Sequence, residues 1–174
     1  MRENFNLGLT PQFTASGELA PEQIPLIEDG HLKNLLVSSR SAKEYGVASN
    51  GAELWEGPRS LQMAGGNLAS GEVLKKLGTG VYLSHLHYLN WSDRLNARIT
   101  GMTRYACFWV ENGQIVAPIS DMRFDESLYR MMGSELIDIS QETQLIPAID
   151  TYVKRGLGGR ELPGLLLADF RLTL

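Results

Sequence analysis

His85 and His87, in the run TGVYLSHLHYLN, come nearest of all residues in this chain to a metal-binding pattern. Alternate residues of a strand point to one side, and two imidazoles on one side are half of a common zinc ligand set. No third ligand follows from the sequence: Asp93 lies across an expected turn, and Cys107 lies on another strand. The other reading is a pair of imidazoles on a half-exposed sheet face, and the missing ligand favours it. Arg104 and Arg123 flank a predicted hairpin and could clamp a carboxylate, although solvated strand ends are the ordinary explanation. The chain has 18 glycines but no Gly-x-x-x-x-Gly-Lys-Ser/Thr phosphate loop, no dinucleotide fingerprint and no Gly-x-Ser-x-Gly nucleophile elbow.

Composition narrows the classes further. Sixteen Lys and Arg against twenty Asp and Glu give a net charge of −4, with the basic residues scattered rather than banded, so nucleic-acid binding is not expected. Cys107 is the single cysteine; it can form no internal disulfide and reads as a buried, inert thiol beside Phe108 and Trp109. No apolar run approaches the roughly 18 residues of a membrane helix. MRENFNLG opens without a signal peptide's apolar stretch, so a cytoplasmic location is expected. A chain of 174 residues, 43% hydrophobic and 21% charged, fits one ordinary core and hence one domain over residues 1–174.

The elements that must position these residues are mostly strands. In TGMTRYACFWVENGQIVAPIS, residues 100–120, Asn112-Gly113 is the favoured pair for a two-residue type I′ turn, because both positions need φ > 0. That turn sets Glu111 opposite Gln114 and Val110 opposite Ile115. Ala106, Phe108, Val110, Ile115, Ala117 and Ile119 would then share an apolar face, and Pro118 marks a strand edge or end. Asp29-Gly30 repeats the device, Ile-Glu-Asp-Gly-His-Leu against Val-Glu-Asn-Gly-Gln-Ile, whether by duplication or by shared turn chemistry. Two hairpins of one design imply one antiparallel sheet or two packed sheets.

Around them, short helices are predicted over residues 39–46, 70–78 and 125–133. Each has a Ser or Asp N-cap and a glycine stop; Ser70 caps the second and Asp125 the third. Residues 79–90 read as a strand carrying Val81, Leu83, His85 and His87 on one face, followed by a polar loop from Trp91 to Arg98. Residues 47–66 are loop with a strand near 59–64, where Trp55 is either a lid over the core or an exposed recognition residue, the lid being favoured. Residues 1–20 read as loop, as if the chain began inside one, which suggests a fragment. Pro147 bars a regular central element through QLIPAIDTYV, and PGLLLADFRLTL reads as one last strand. The expected class is α+β, predominantly antiparallel sheet in a barrel-like or sandwich-like arrangement, with short helices.

Taken in order, IPLIEDGHLKNLLVSSRSAKEYG, LKKLGTGVYLSHLHYLN, ITGMTRYACFWVENGQIVAPISDMRFDESLYRMM and LPGLLLADFRL resemble the C-terminal domain of the TldD/PmbA (TldE) family. The resemblance implies a two-domain parent more than twice this length, whose N-terminal domain is absent here. It also implies pairing of TldD and TldE subunits in a zinc-dependent peptidase acting on peptides or unfolded proteins, microcin precursors included; PmbA has also been named a modulator of DNA gyrase. The family's catalytic subunit holds zinc with a His-Glu-x-x-x-His helix, which the resemblance places ahead of Met1, and with a late cysteine. That cysteine would fall between about residues 143 and 163, and QLIPAIDTYVKRGLGGRELP contains none. The resemblance therefore implies the partner subunit, with no metal ligand and no catalytic residue of its own, and with zinc in a TldD-like partner; a self-dimer is the other pairing. Peptide contacts would fall among Arg104, Pro118, Trp55 and Trp91. The alternatives are a stand-alone binding module using the Trp55 and Trp91 loops, or a small hydrolase built on His85 and His87.

Overall fold

Turn chemistry is where sequence and structure agree most closely. In the computed structural model, which describes residues 1–152 and 154–173, Asp29 and Gly30 have φ of 50° and 75°, and Asn112 and Gly113 have φ of 50° and 76°. Both pairs thus close tight hairpins. In chain order the strands are β1 (Arg2–Asn4), β2 (Gln23–Pro25), β3 (Ile27–Glu28), β4 (His31–Leu32), β5 (Ser60–Gln62), β6 (Gly80–Asp93), β7 (Arg98–Glu111), β8 (Gln114–Pro118), β9 (Arg123–Ser127), β10 (Leu136–Pro147), β11 (Gly159–Leu167) and β12 (Leu172–Thr173). The α-helices are α1 (Ser39–Tyr45) and α2 (Val73–Leu77). The class is α+β, mostly antiparallel, and among the described residues the sheets are open rather than closed into a barrel.

The chain divides into two compact units: Met1–Gly65 with Thr143–Pro163, and Gly66–Glu142 with Gly164–Leu174. One five-stranded sheet runs in the order β10-β11-β5-β1-β2, with β3 and β4 as a separate pair. The two glycine hairpins therefore do not share a sheet, so of the two arrangements their common design allowed, a single sheet is ruled out. A two-residue turn specifies which strands pair locally and says nothing about what lies beyond them.

Residues 1–20 are likewise not all loop, since β1 lies between β2 and β5. Glu3, 2% exposed, fastens it: its Oε1 accepts the backbone N–H groups of Arg59 at 2.7 Å and Ser60 at 2.8 Å. The Ser60 hydroxyl donates to the Asn4 carbonyl at 2.6 Å. Glu3 Oε2 is buried without a partner, and burial pushes the carboxyl pKa up against the opposing pull of those two N–H bonds and of Arg59. Arg59 in turn lies over the Phe5 ring at 4.7 Å and donates to the carbonyls of Phe13 and Gly51.

Helix α1 ends at Gly46, φ 67°, as predicted, while its N-cap is Ser38, one residue ahead of the predicted start, accepting from the Ser41 N–H. Trp55, by contrast, is no lid: it is 65% exposed, its ring laid so close along Gly57 that a Cβ there would sit 1.8 Å away. Strand β10 ends at Pro147, where the missing N–H stops the ladder. Val153, the last residue of QLIPAIDTYV, lies outside the described residues.

The second unit is built on β7. Its sheet runs β12-β9-β7-β6, and β8 also pairs with β7. Several predicted elements change here. Trp91 to Arg98 is not a polar loop: β6 continues to Asp93, whose carboxylate accepts from Leu95, Asn96 and the Asn96 amide and closes the turn. Asp125 caps no helix; it sits in β9 and pairs with Arg98. The chain becomes helical only at Leu128, with a π-helical stretch over Arg130–Ser134.

Ser70 does not cap α2 either. It opens a 3-10 turn, and its N–H and hydroxyl both donate to Glu142, while Val73, Leu74 and Leu77 are only half-buried. The last strand is broken into β11 and β12, because Phe170 leaves the ladder to pack on Phe124 at 5.2 Å.

In the Asn112-Gly113 hairpin, Val110 faces Ile115 and Glu111 faces Gln114 as predicted, but Trp109 then faces Ala117 and Phe108 faces Pro118. Val116 is the extra residue of a bulge on β8, and β7 has its own irregularity between Cys107 and Arg104, so the predicted single apolar face does not persist: Ala106 is exposed and Cys107 buried.

Two predictions follow from these contacts. Gly30→Ala meets nothing within 4 Å, whereas an alanine Cβ at Gly113 would lie 3.1 Å from Lys75 Cα. Both cost about 1 kcal/mol for a left-handed alanine, and Gly113→Ala costs measurably more in urea titrations because the turn abuts α2. For Glu3, the raised folded-state pKa means its contribution is full below the ordinary glutamate value and is lost as pH rises through the raised one. Glu3→Gln therefore flattens the pH dependence of stability, its denaturation midpoint rising relative to the parent chain as pH climbs above the ordinary glutamate range.

Candidate functional site

Cross-strand register gathers the candidate residues of the second unit. His85 lies opposite Arg104 and His87 opposite Met102 across β6 and β7, and Met102 lies opposite Arg123 across β7 and β9. Directly opposed residues share a face, as do residues two apart in a regular strand. His85, His87, Met102, Arg104 and Arg123 therefore stand together. The two imidazole rings are 6.0 Å apart, centroid to centroid.

Two bulges shape this face. Between Leu83 and His85, β6 takes two steps while β7 takes three, from Cys107 to Arg104, with Tyr105 at φ 67°. Its ring sits 5.3 Å from His85 and under the Arg104 guanidinium at 5.5 Å. Between His87 and Asn90, β6 has the extra residue, Tyr88 at φ 53°, whose ring lies 4.5 Å from His87. A left-handed tyrosine costs roughly 1–2 kcal/mol and persists only where surrounding structure enforces it.

Enforcement comes from the core and from the second edge of β7. Gly101 is buried, and a Cβ there would lie 2.7 Å from the His87 carbonyl and 2.9 Å from the Phe124 ring. Strand β8 leaves β7 at Phe108 and β9 joins it at Met102. The loop between them spans the gap: Ile119 N–H donates to the Cys107 carbonyl at 3.0 Å, Thr103 N–H to the Met122 carbonyl at 2.8 Å, and Met122 N–H to Thr103 Oγ1 at 2.9 Å. This holds Asp121 at the rim of a shallow depression of about 190 Å³, lined by His87, Tyr88, Met102, Thr103, Arg104 and Asp121.

Among the described residues Arg104, Arg123 and Asp121 have no ion-pair partner, while Arg98 engages Asp125 and Arg130 engages Glu126, Glu135 and Asp169. The Arg130 cluster is structural. Glu126, fully buried, accepts from Arg130 at 3.0 Å on both oxygens, from the Ser127 N–H and from the Arg171 N–H. Asp169 raises the Arg130 pKa further, and its own carboxyl is held below the usual range by that guanidinium. Nothing in the sequence reading found this cluster, because a helix begun at Asp125 hides Glu126 in its first turn.

The donor set does not suit zinc. His85 faces a guanidinium, Asp93 is committed to its turn, and the Cys107 thiol is buried with Sγ donating to the Arg104 carbonyl at 3.4 Å. Among the described residues no three of His, Cys, Asp and Glu cluster where they could hold a metal. Of the other sequence candidates, Pro118 ends β8, Trp91 is a strand residue opposite Ile99, and Trp55 belongs to the first unit. Asp121, Tyr88 and Tyr105 had no sequence signal, since a bulge arises from pairing and not from residue type.

Comparison with known proteins agrees with this architecture. The family model for the PmbA/TldA metallopeptidase C-terminal domain matches residues 9–173. Metalloprotease PmbA of Escherichia coli O157:H7 is 32% identical over 126 residues, 72% of this chain and 26% of that protein. TldE from Thermococcus kodakarensis superposes with a TM-score of 0.76 at 15% identity, covering 99% of this chain and 39% of that one. A protein described as a suggested modulator of a DNA gyrase, from Thermotoga maritima, gives 0.70 at 16% identity, with 94% and 35% covered. The chain thus spans between about a quarter and two fifths of the length of these relatives.

Gly101→Ala tests how the face is supported. The added methyl costs about 2 kcal/mol or more by overpacking, and displaces the His87 carbonyl. We expect a lower denaturation midpoint together with shifted His87 and Tyr88 resonances in NMR spectra, with His31 unmoved.

Proposed function

The chain belongs to the PmbA/TldD family, as its metallopeptidase-related C-terminal domain, and from that premise we propose that it acts as the non-catalytic, TldE-type partner of a zinc-bearing TldD-like subunit. One observation carries the reading. The match covers nearly the whole chain, yet no cysteine occurs between residues 143 and 163, and the single cysteine, Cys107, is 1% exposed and turned onto the backbone of its own strand. A thiol so placed is an inert packing group. The zinc and the water it activates would belong to the partner; His85, His87 and the remaining residues of this chain would bind and orient.

Substrates of this reading are peptides or unfolded proteins in the cytoplasm. Strand addition is the physically simplest way to hold them, because backbone hydrogen bonds are blind to sequence. Strand β8 has β7 as its one described neighbour and stops at Pro118. Strand β6 offers a longer edge, fourteen residues without lysine, arginine or proline, the devices that usually blunt an edge. A second reading, a ligand-binding module with no proteolytic role, is favoured by the exposure of Trp55 and by the half-exposed Trp91.

Co-expression with a subunit carrying His-Glu-x-x-x-His distinguishes them. The expected result is a stable complex with stoichiometric zinc that is lost when the partner's motif is mutated and kept in His85→Ala of this chain, with peptide hydrolysis by the complex only. Hydrolysis by this chain alone, abolished in His85→Ala, would overturn the proposal.

A further inference from the structure

We propose that the β6–β7 face around Arg104 binds the free C-terminal carboxylate of a peptide. Four observations converge on one chemistry. Arg104 and Arg123 stand diagonally across β7 and β9 on a common face, since Arg123 opposes Met102 and Arg104 lies two residues along. Diagonal neighbours have Cβ atoms roughly 7–8 Å apart, a span that long side chains can close on a single small anion. Neither guanidinium has an ion-pair partner among the described residues. Arg104 is also stacked over Tyr105, which orders the fork while leaving its N–H edge free for two parallel bonds to a carboxylate.

Asp121 decides between kinds of anion. It lines the same depression as Arg104 and His87, so a dianion such as phosphate would face a fixed negative charge. A peptide terminus brings one carboxylate charge and, next to it, an amide N–H that a carboxylate can accept. The loop bearing Asp121 is pinned to β7 by the three bonds at Thr103 and Cys107, so the acceptor is pre-positioned. Exposed Tyr88, at 75%, and half-exposed Met102 supply an apolar shelf for the last side chain. Both left-handed tyrosines border this spot, Tyr88 beside His87 and Tyr105 under the Arg104 guanidinium.

The inference deepens the peptide-handling reading, but it is tested on this chain without a partner subunit, so the two can fail separately. The probes are N-acetyl-alanyl-phenylalanine, the same dipeptide as its C-terminal amide, and inorganic phosphate, each titrated while His87 and Tyr88 resonances are followed by NMR. The expected result is saturable binding of the acid with a dissociation constant on the order of a millimolar, as suits a shallow site with a few charge-assisted bonds. The amide and phosphate should each bind at least about tenfold more weakly. Arg104→Gln should weaken the acid at least about tenfold, and Arg94→Gln, in the β6–β7 turn, should leave it unchanged. Equal binding of acid and amide, phosphate binding as tight as the acid, or full affinity in a folded Arg104→Gln variant would overturn the proposal. Should Arg104→Gln fail to fold, the acid and amide titrations of the parent chain decide it.

Discussion

Every backbone N–H and C=O along β7 has to find a partner on one of two edges, and the way those partners are shared out shapes the second unit. A buried strand cannot leave such groups unpaired without a cost comparable to a lost hydrogen bond. One edge is taken throughout by β6. The other is divided: β9 takes Arg98 to Met102, β8 takes Phe108 to Glu111, and the loop from Ile119 to Met122 bonds to Thr103 and Cys107 between them. Where the partition changes, the ladder on the β6 side also slips, and Tyr105 is driven into the left-handed region. The distinctive surface of the molecule is therefore a by-product of satisfying one strand.

Each unit also keeps one acid inside, and the two are held differently. Glu126 is ringed by a guanidinium and two N–H donors, so its charge is compensated on both oxygens and it ties β9 to the segment after β11. Glu3 has backbone donors on one oxygen and nothing on the other. Desolvation then dominates, and the proton is retained more readily than in water. Burial outweighs the two N–H bonds and the pull of Arg59 at Glu3, which makes β1 a pH-sensitive strand of the first unit.

Several large apolar side chains stand exposed on this chain. Leu89, Leu95, Tyr88 and Tyr105 are exposed along the β6–β7 hairpin alone. Large exposed apolar patches mark interaction surfaces more often than accidents. The same hairpin carries Arg104, which has no ion-pair partner among the described residues, and a purely apolar docking surface would not tolerate such a charge once covered. A face that is both apolar and charged suits a peptide, which presents side chains and polar termini together.

Local chemistry was readable directly from the residues. Asn112-Gly113 and Asp29-Gly30 require φ > 0 wherever they occur, Ser38 and Gly46 bracket a helix by satisfying its terminal N–H and C=O groups, and Pro118 and Pro147 end strands because they donate nothing to a ladder. Each depends on a residue and its immediate neighbours. Register, by contrast, is a property of pairs. Asp125 and Glu126 read as a helix start until Arg98 and Arg130 are placed against them, and residues 1–20 read as loop until β5 is laid beside Glu3. The two histidines carried a weak suggestion of metal; it took the pairing of β6, β7 and β9 to set two guanidiniums on their face, and it took the Ile119–Met122 loop to bring Asp121 there. Sequence alone settled the two glycine turns, the glycine stop at Gly46 and the family, because these are encoded over a few residues or by their order; the caps read at Ser70 and Asp125 failed because tertiary partners claimed those side chains. Tertiary structure alone settled which side chains meet, because a single slipped hydrogen bond at a bulge redirects every side chain beyond it.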